Sequence, residues 1–190
     1  MNHFLAGVGR ADMTPPVGIA HVNWGARTHD RAEGIDLPLL ATILLLEQGD
    51  VRAAIVDLDF LLMSSEESRE LREVVAAELG MEPAHVRLSF THTHSGPPWA
   101  THGFGTQAQL PGMELVPAYR ARVLDALREA ARAARAALRP ARSASGYGRS
   151  EVTVNRRLAL PDGRVVVSQN WDGYRDPVLS VLRILRVDRP

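Results

Sequence analysis

The stretch Leu37-Pro38-Leu39-Leu40-Ala41-Thr42-Ile43-Leu44-Leu45-Leu46-Glu47-Gln48-Gly49-Asp50-Val51-Arg52-Ala53-Ala54-Ile55-Val56-Asp57-Leu58-Asp59-Phe60-Leu61 decides the fold. Two near-continuous apolar runs, Leu37 to Glu47 and Val51 to Leu61, are parted by Gln48-Gly49-Asp50. Short runs rich in Val, Ile and Leu read as strands, and Gly-Asp reads as a turn. Continuous rather than alternating apolar character predicts strands covered on both faces. Outward from this pair, Phe4 to Asp12 reads as a first strand ending at Thr14-Pro15-Pro16, and His85 to Phe90 as a later one. Ser64 and Glu67 fit a capping box, in which each side chain satisfies the other residue's backbone N–H. Leu71, Val74, Val75 and Leu79 then recur at helical spacing until Gly80 closes the helix. Pro117 to Leu138 is the clearest helix, with Tyr119, Val123, Leu127, Ala130, Ala131, Ala134 and Leu138 on one stripe. After Pro140, the segments Ala144 to Val154, Arg164 to Ser168 and Val178 to Val187 read as strands, with Pro161-Asp162-Gly163 as a hairpin turn. Strands interleaved with two helices predict an α/β domain of the layered α+β kind, a mixed β-sheet flanked by helices. The irregular stretch from Gly18 to Asp36 is long for a compact domain and so predicts a functional loop.

Composition narrows the function. A length of 190 residues suits one domain spanning the chain, and 45% apolar residues are enough for a packed core rather than disorder. The 22 basic residues balance the 22 acidic ones, which gives no electrostatic reason to seek nucleic acid or an anionic membrane. All the basic residues are Arg, so a catalytic lysine, a Schiff base and a Walker-type lysine are excluded. With no Cys, disulfides, thiolate zinc sites and Cys nucleophiles are excluded too. Any metal must sit on His, Asp, Glu or Tyr. The chain opens without a basic region or long apolar run, and no stretch reaches membrane-span length. The expectation is therefore no stable membrane insertion and a cytoplasmic location, or secretion if a leader precedes Met1.

Thr91-His92-Thr93-His94-Ser95-Gly96-Pro97 is the chemical motif. Strand side chains alternate faces, so His92 and His94, at the end of a buried apolar strand, point to the same side. Gly96-Pro97-Pro98 then ends the strand and leaves both imidazoles at a rim. Two ligands on one metal, or one ligand beside one acid/base group, would both fit, as would a pair of ordinary polar residues. Neutral imidazole is a good zinc ligand, and a catalytic zinc normally takes three protein ligands and a water. His3, His21, His29, His85 and His102 read as lone histidines. Asp57 and Asp59 stand at a strand end, where they could support a metal or bond loop amides.

Four segments resemble the neutral/alkaline non-lysosomal ceramidases. They are Val8-Gly9-Arg10-Ala11-Asp12-Met13-Thr14-Pro15-Pro16, Gly34-Ile35-Asp36 before its apolar strand, the His-Thr-His segment, and Val154-Asn155-Arg156-Arg157. They occur in the family order and span essentially the whole chain. The resemblance implies a Zn2+-dependent hydrolase of a linear amide, with an N-acyl, ceramide-like lipid as its small-molecule substrate. It implies that His92 binds the zinc and that His94 contacts the reacting centre. It implies further that Arg156, with Asn155 beside it, serves the substrate pocket, and that Gly25 lines that pocket. Where the family usually continues Asn-Arg with Ser-Pro, this chain has Arg157-Leu158. The family's second zinc His, its serine nucleophile and its later Glu and Tyr ligands lie beyond the Asn-Arg element. The resemblance therefore implies the N-terminal part of a larger catalytic domain, with an incomplete site and no turnover by itself. Unpaired strands near Val178 to Val187 predict self-association through exposed edges. Two other readings remain: a non-catalytic ligand-binding module of the same fold, and a metal-dependent esterase or phosphoesterase that draws on Asp57 or Asp59.

Overall fold

The two apolar runs form the central hairpin. In the computed structural model, which describes residues 4–23, 27–99 and 109–187, they are β2 (Leu40–Gln48) and β3 (Val51–Leu58). Gly49 turns the chain between them at φ 60°, a left-handed value that suits glycine. The chain divides into two units, Met1–Ala141 with Arg186–Pro190, and Arg142–Leu185.

In the first unit β1 (Phe4–Asp12) pairs antiparallel with β2, and β4 (Val86–Phe90) pairs parallel with β3. The start of β5 (Arg139–Arg149) joins the other edge of β1, Pro140 opposite Leu5. The sheet is thus mixed, as the interleaving of strands and helices predicts. Its register puts Gly7, Gly9 and Ala11 beside Leu45, Ile43 and Ala41, and these beside Ala54, Val56 and Leu58. That face is buried under α1 (Ser65–Leu79) and α2 (Val116–Ala136). The helices hold it with Leu71, Val75 and Leu79 from α1 and Val123, Leu127, Ala130 and Ala134 from α2. Helix α2 lies so close to β1 that a Cβ on Gly9 would stand 2.0 Å from the Ala130 carbonyl oxygen. Helix α1 carries the capping box: Ser64 N–H donates to Glu67 Oε2 at 2.7 Å and Glu67 N–H to Ser64 Oγ at 3.2 Å. Gly80 ends it in the left-handed conformation.

Two expectations shift. The strands are not covered on both faces among the described residues: Leu44, Leu46 and Ile55 are half-buried and Val8 is exposed. The run looks continuous because both faces are apolar, while the helices take only one. The strand expected from Ala144 begins instead at Arg139, ahead of Pro140. Proline is tolerated at a strand start, where its missing N–H is least costly, and the Pro140 carbonyl still accepts from Val187 N–H at 3.0 Å.

The second unit is built from strands. β6 (Asn155–Ala159) and β7 (Val165–Asn170) form an antiparallel hairpin closed by Gly163, and β8 (Val178–Arg186) neighbours β5. None of residues 142–185 is buried.

Candidate active site

The register gathers four chain segments at one end of the first unit's sheet. The end of β1 lies beside the start of β2, which lies beside the ends of β3 and β4. Short bonds tie them. Met13 N–H donates to the Leu39 carbonyl at 2.8 Å, and Leu39 N–H to Thr14 Oγ1 at 2.9 Å. Asp59 Oδ2 accepts from Leu40 N–H at 2.9 Å, so this carboxylate fastens the loop leaving β3. Asp57 Oδ1 accepts from Ser89 Oγ at 3.2 Å across the parallel pair. Asp59 thus bonds a backbone amide, one of the uses foreseen for these aspartates, whereas Asp57 bonds a side-chain hydroxyl.

The strand does not run through the histidine motif. β4 ends at Phe90, and His92 has φ 60°. A residue with a Cβ pays for that left-handed conformation in strain. The two imidazoles are brought together by this bend rather than by strand alternation, with ring centroids 5.2 Å apart and planes at 89°. His92 Nδ1 lies 3.0 Å from the Leu61 carbonyl. A carbonyl only accepts, so the hydrogen sits on Nδ1 and the Nε2 lone pair points away. Nε2 has no partner among the described residues. Zinc-binding histidines are commonly oriented by such a bond from the second ring nitrogen. His94 is half-buried, and its Nδ1 lies 2.5 Å from the Asn23 carbonyl, which fixes the hydrogen on Nδ1 here too.

The turn after the motif is anchored in the core. Gly96, Pro97, Pro98 and Trp99 are all buried. Trp99 meets Phe60 edge-on at 6.0 Å between centroids and takes the Arg120 guanidinium over its ring at 5.0 Å. Arg120 is held in turn by Glu70 of α1. Beneath this end of the sheet, Tyr119 of α2 is buried and its hydroxyl has no hydrogen-bond partner among the described residues. Burial pushes that hydroxyl's pKa well up, and the negative charges of Asp12 and Asp59 add to the effect.

The loop that the sequence marks as functional folds back over this end. Ala20 pairs with Arg31, Ala32 N–H donates to the Ile19 carbonyl at 2.9 Å, and Ala20 N–H to the Gly112 carbonyl at 3.1 Å. Gly112 is at φ 88°, and a Cβ there would meet Gly18 O at 2.4 Å, so only glycine lets the two segments close. Between the loop and the motif lies a cavity of about 550 Å³, with His21, His29, Asp59, Thr93 and Ser95 in its wall. His21 and His29 stack at 5.1 Å between centroids, with Nδ1 of His21 3.1 Å from Nε2 of His29. They are therefore not the lone histidines that the sequence implies. His85 is the last residue of a short 3-10 turn, and His3 and His102 lie outside the described residues.

Arg156 and Asn155 belong to the second unit. The register of the β6–β7 hairpin slips between Asn155 and Arg157, so that Ser168 and Gln169 oppose Arg156 alone. The extra residue of this bulge therefore lies on β7, and Arg156 opposite it is exposed with no polar partner among the described residues. Asn155 is committed locally: its Nδ2 donates to the Tyr174 carbonyl at 2.8 Å and its Oδ1 accepts from Arg157 N–H at 2.8 Å. Gly25 lies outside the described residues. Among those residues no group of three His, Asp or Glu side chains is placed to hold a metal.

The chain superposes on a neutral ceramidase from Pseudomonas aeruginosa with a TM-score of 0.71 and 21% identity, over 99% of this chain and 30% of that one. The chain shares its fold with part of that enzyme. A second ceramidase structure, complexed with C2, matches with a TM-score of 0.65 and 20% identity over the same shares. This chain spans under a third of the length of either ceramidase. No family model matches the sequence. The ceramidase likeness covers both units, and with them the His-Thr-His bend and the Asn155–Arg156 segment.

Proposed function

We propose that this chain is part of a zinc-dependent hydrolase of linear amides, acting on an N-acyl, ceramide-like substrate. The supporting observation is the His92–His94 bend, with its oriented ring nitrogens, within a fold matched to ceramidases over 99% of the chain. His92 fits one zinc-ligand position through Nε2. Zinc, when bound, polarises the amide carbonyl. His94 moves a proton at the reacting centre. Arg156 offers its guanidinium to the developing oxyanion, and Asn155 beside it serves the same substrate pocket. Gly25 belongs to the same substrate pocket in this reading. We further propose that turnover needs more than this chain supplies, in keeping with its spanning 30% of the ceramidase it matches.

The test is zinc affinity, measured by competition with a chromophoric chelator on the native chain and on His92→Ala. The expected outcome is zinc binding that falls at least about tenfold in the variant, as loss of a ligand predicts. Equal affinity in both proteins would remove His92 from the ligand set and sink the reading.

A further inference from the structure

We propose that His21 and Asn23 are positioning residues that hold the His94 imidazole in its Nδ1–H form and fix the turn that carries it. The proposal rests on the reading of His94 as the proton-moving group, and it adds how the ring is set.

Four contacts between two segments carry it. The Asn23 carbonyl meets His94 Nδ1 at 2.5 Å. The Asn23 side chain spans the turn beyond, its Nδ2 donating to the Gly96 carbonyl at 2.8 Å and to the Pro97 carbonyl at 3.0 Å. His21 Nε2 lies 3.2 Å from the His94 carbonyl. A carbonyl accepts, so His21 carries its hydrogen on Nε2 and presents a lone pair at Nδ1 to His29 Nε2, 3.1 Å away. His29 therefore donates to His21, and His21 donates to the backbone of His94. Ring, carbonyl and following turn are all gripped from one three-residue stretch, more than seventy positions away in the chain.

The chemical consequence lies in the ring. With its hydrogen held on Nδ1, the neutral imidazole has its lone pair on Nε2. A merely structural bond would hold the loop without choosing the nitrogen. The Asn23 carbonyl chooses it, and the Asn23 amide and His21 ring keep that carbonyl and the ring in register.

The test reads which nitrogen bears the hydrogen. Histidine rings of the 190-residue chain are labelled with 15N, and two-bond N–H correlations are recorded without metal. The native chain is expected to show the Nδ1–H pattern for His94. Asn23→Asp keeps the side-chain shape but removes both N–H donors, and His21→Ala removes the third; each is expected to lose that pattern. His21→Gln keeps a donor and is expected to restore it. Persistence of the Nδ1–H pattern in Asn23→Asp and His21→Ala would overturn the proposal. The two variants are read separately, so a variant that does not fold leaves the other to decide. Because the readout is a ring hydrogen and not turnover, the hydrolase reading can fail while this one stands, and the reverse.

Discussion

The first unit buries its apolar side chains, whereas the second displays them. Ile43, Val56, Leu71 and Leu127 are sealed between sheet and helices, while Val167, Trp171 and Tyr174 stand 82%, 68% and 84% exposed. Along β8, Val178, Leu179, Val181, Leu182 and Leu185 are each about half exposed. The difference is one of layers. A sheet gains little until something covers a face, and the first unit has two helices to do so while the second has strands alone. Hydrophobic composition by itself does not make a core; the partner layer does.

Four substitutions break or sharpen this contrast, in falling order of effect. Leu127→Ala opens a cavity under the sheet and is expected to cost about 3–4 kcal/mol in chemical denaturation; a loss near zero would mean that α2 is not a true cover. Gly9→Ala forces a methyl onto the Ala130 carbonyl and is expected to cost about 2–3 kcal/mol, read as a lower melting temperature. An unchanged melt would show that the helix can retreat from β1. Tyr119→Phe removes a buried hydroxyl that lacks a partner among the described residues, and should raise stability by about 1 kcal/mol. A loss of stability would reveal a bond to that hydroxyl. Val167→Ala, on the exposed β7, should change stability by less than about 0.5 kcal/mol. A loss like that of Leu127→Ala would mean that β7 is covered in solution, which an oligomeric-state measurement would then have to explain.

How much of this was legible in the sequence follows the range of the interactions. The capping box at Ser64 and Glu67, the stop at Gly80 and the hairpin at Pro161-Asp162-Gly163 are set by neighbours a few residues apart, and all were readable. So was the stripe of α2, because its period is local. The pairing of His92 with His94 was readable as a motif, but not its cause, since a left-handed residue in place of a continuing strand leaves no mark on the alternation of side chains. His21 and Asn23 looked unremarkable because their partners lie far along the chain. The one available signal was the length of the loop that holds them. The start of β5 was hidden by Pro140, which reads as a break although its carbonyl serves the sheet.

The backbone at His92 carries a last consequence. Removing its ring can be done in two ways that differ only in shape. Alanine must still adopt φ 60°, whereas glycine does so freely. His92→Gly should therefore outlast His92→Ala by about 1 kcal/mol in thermal unfolding, with the same loss of the imidazole. The cost of the bend thus lies in the Cβ at this position, whichever side chain stands on it.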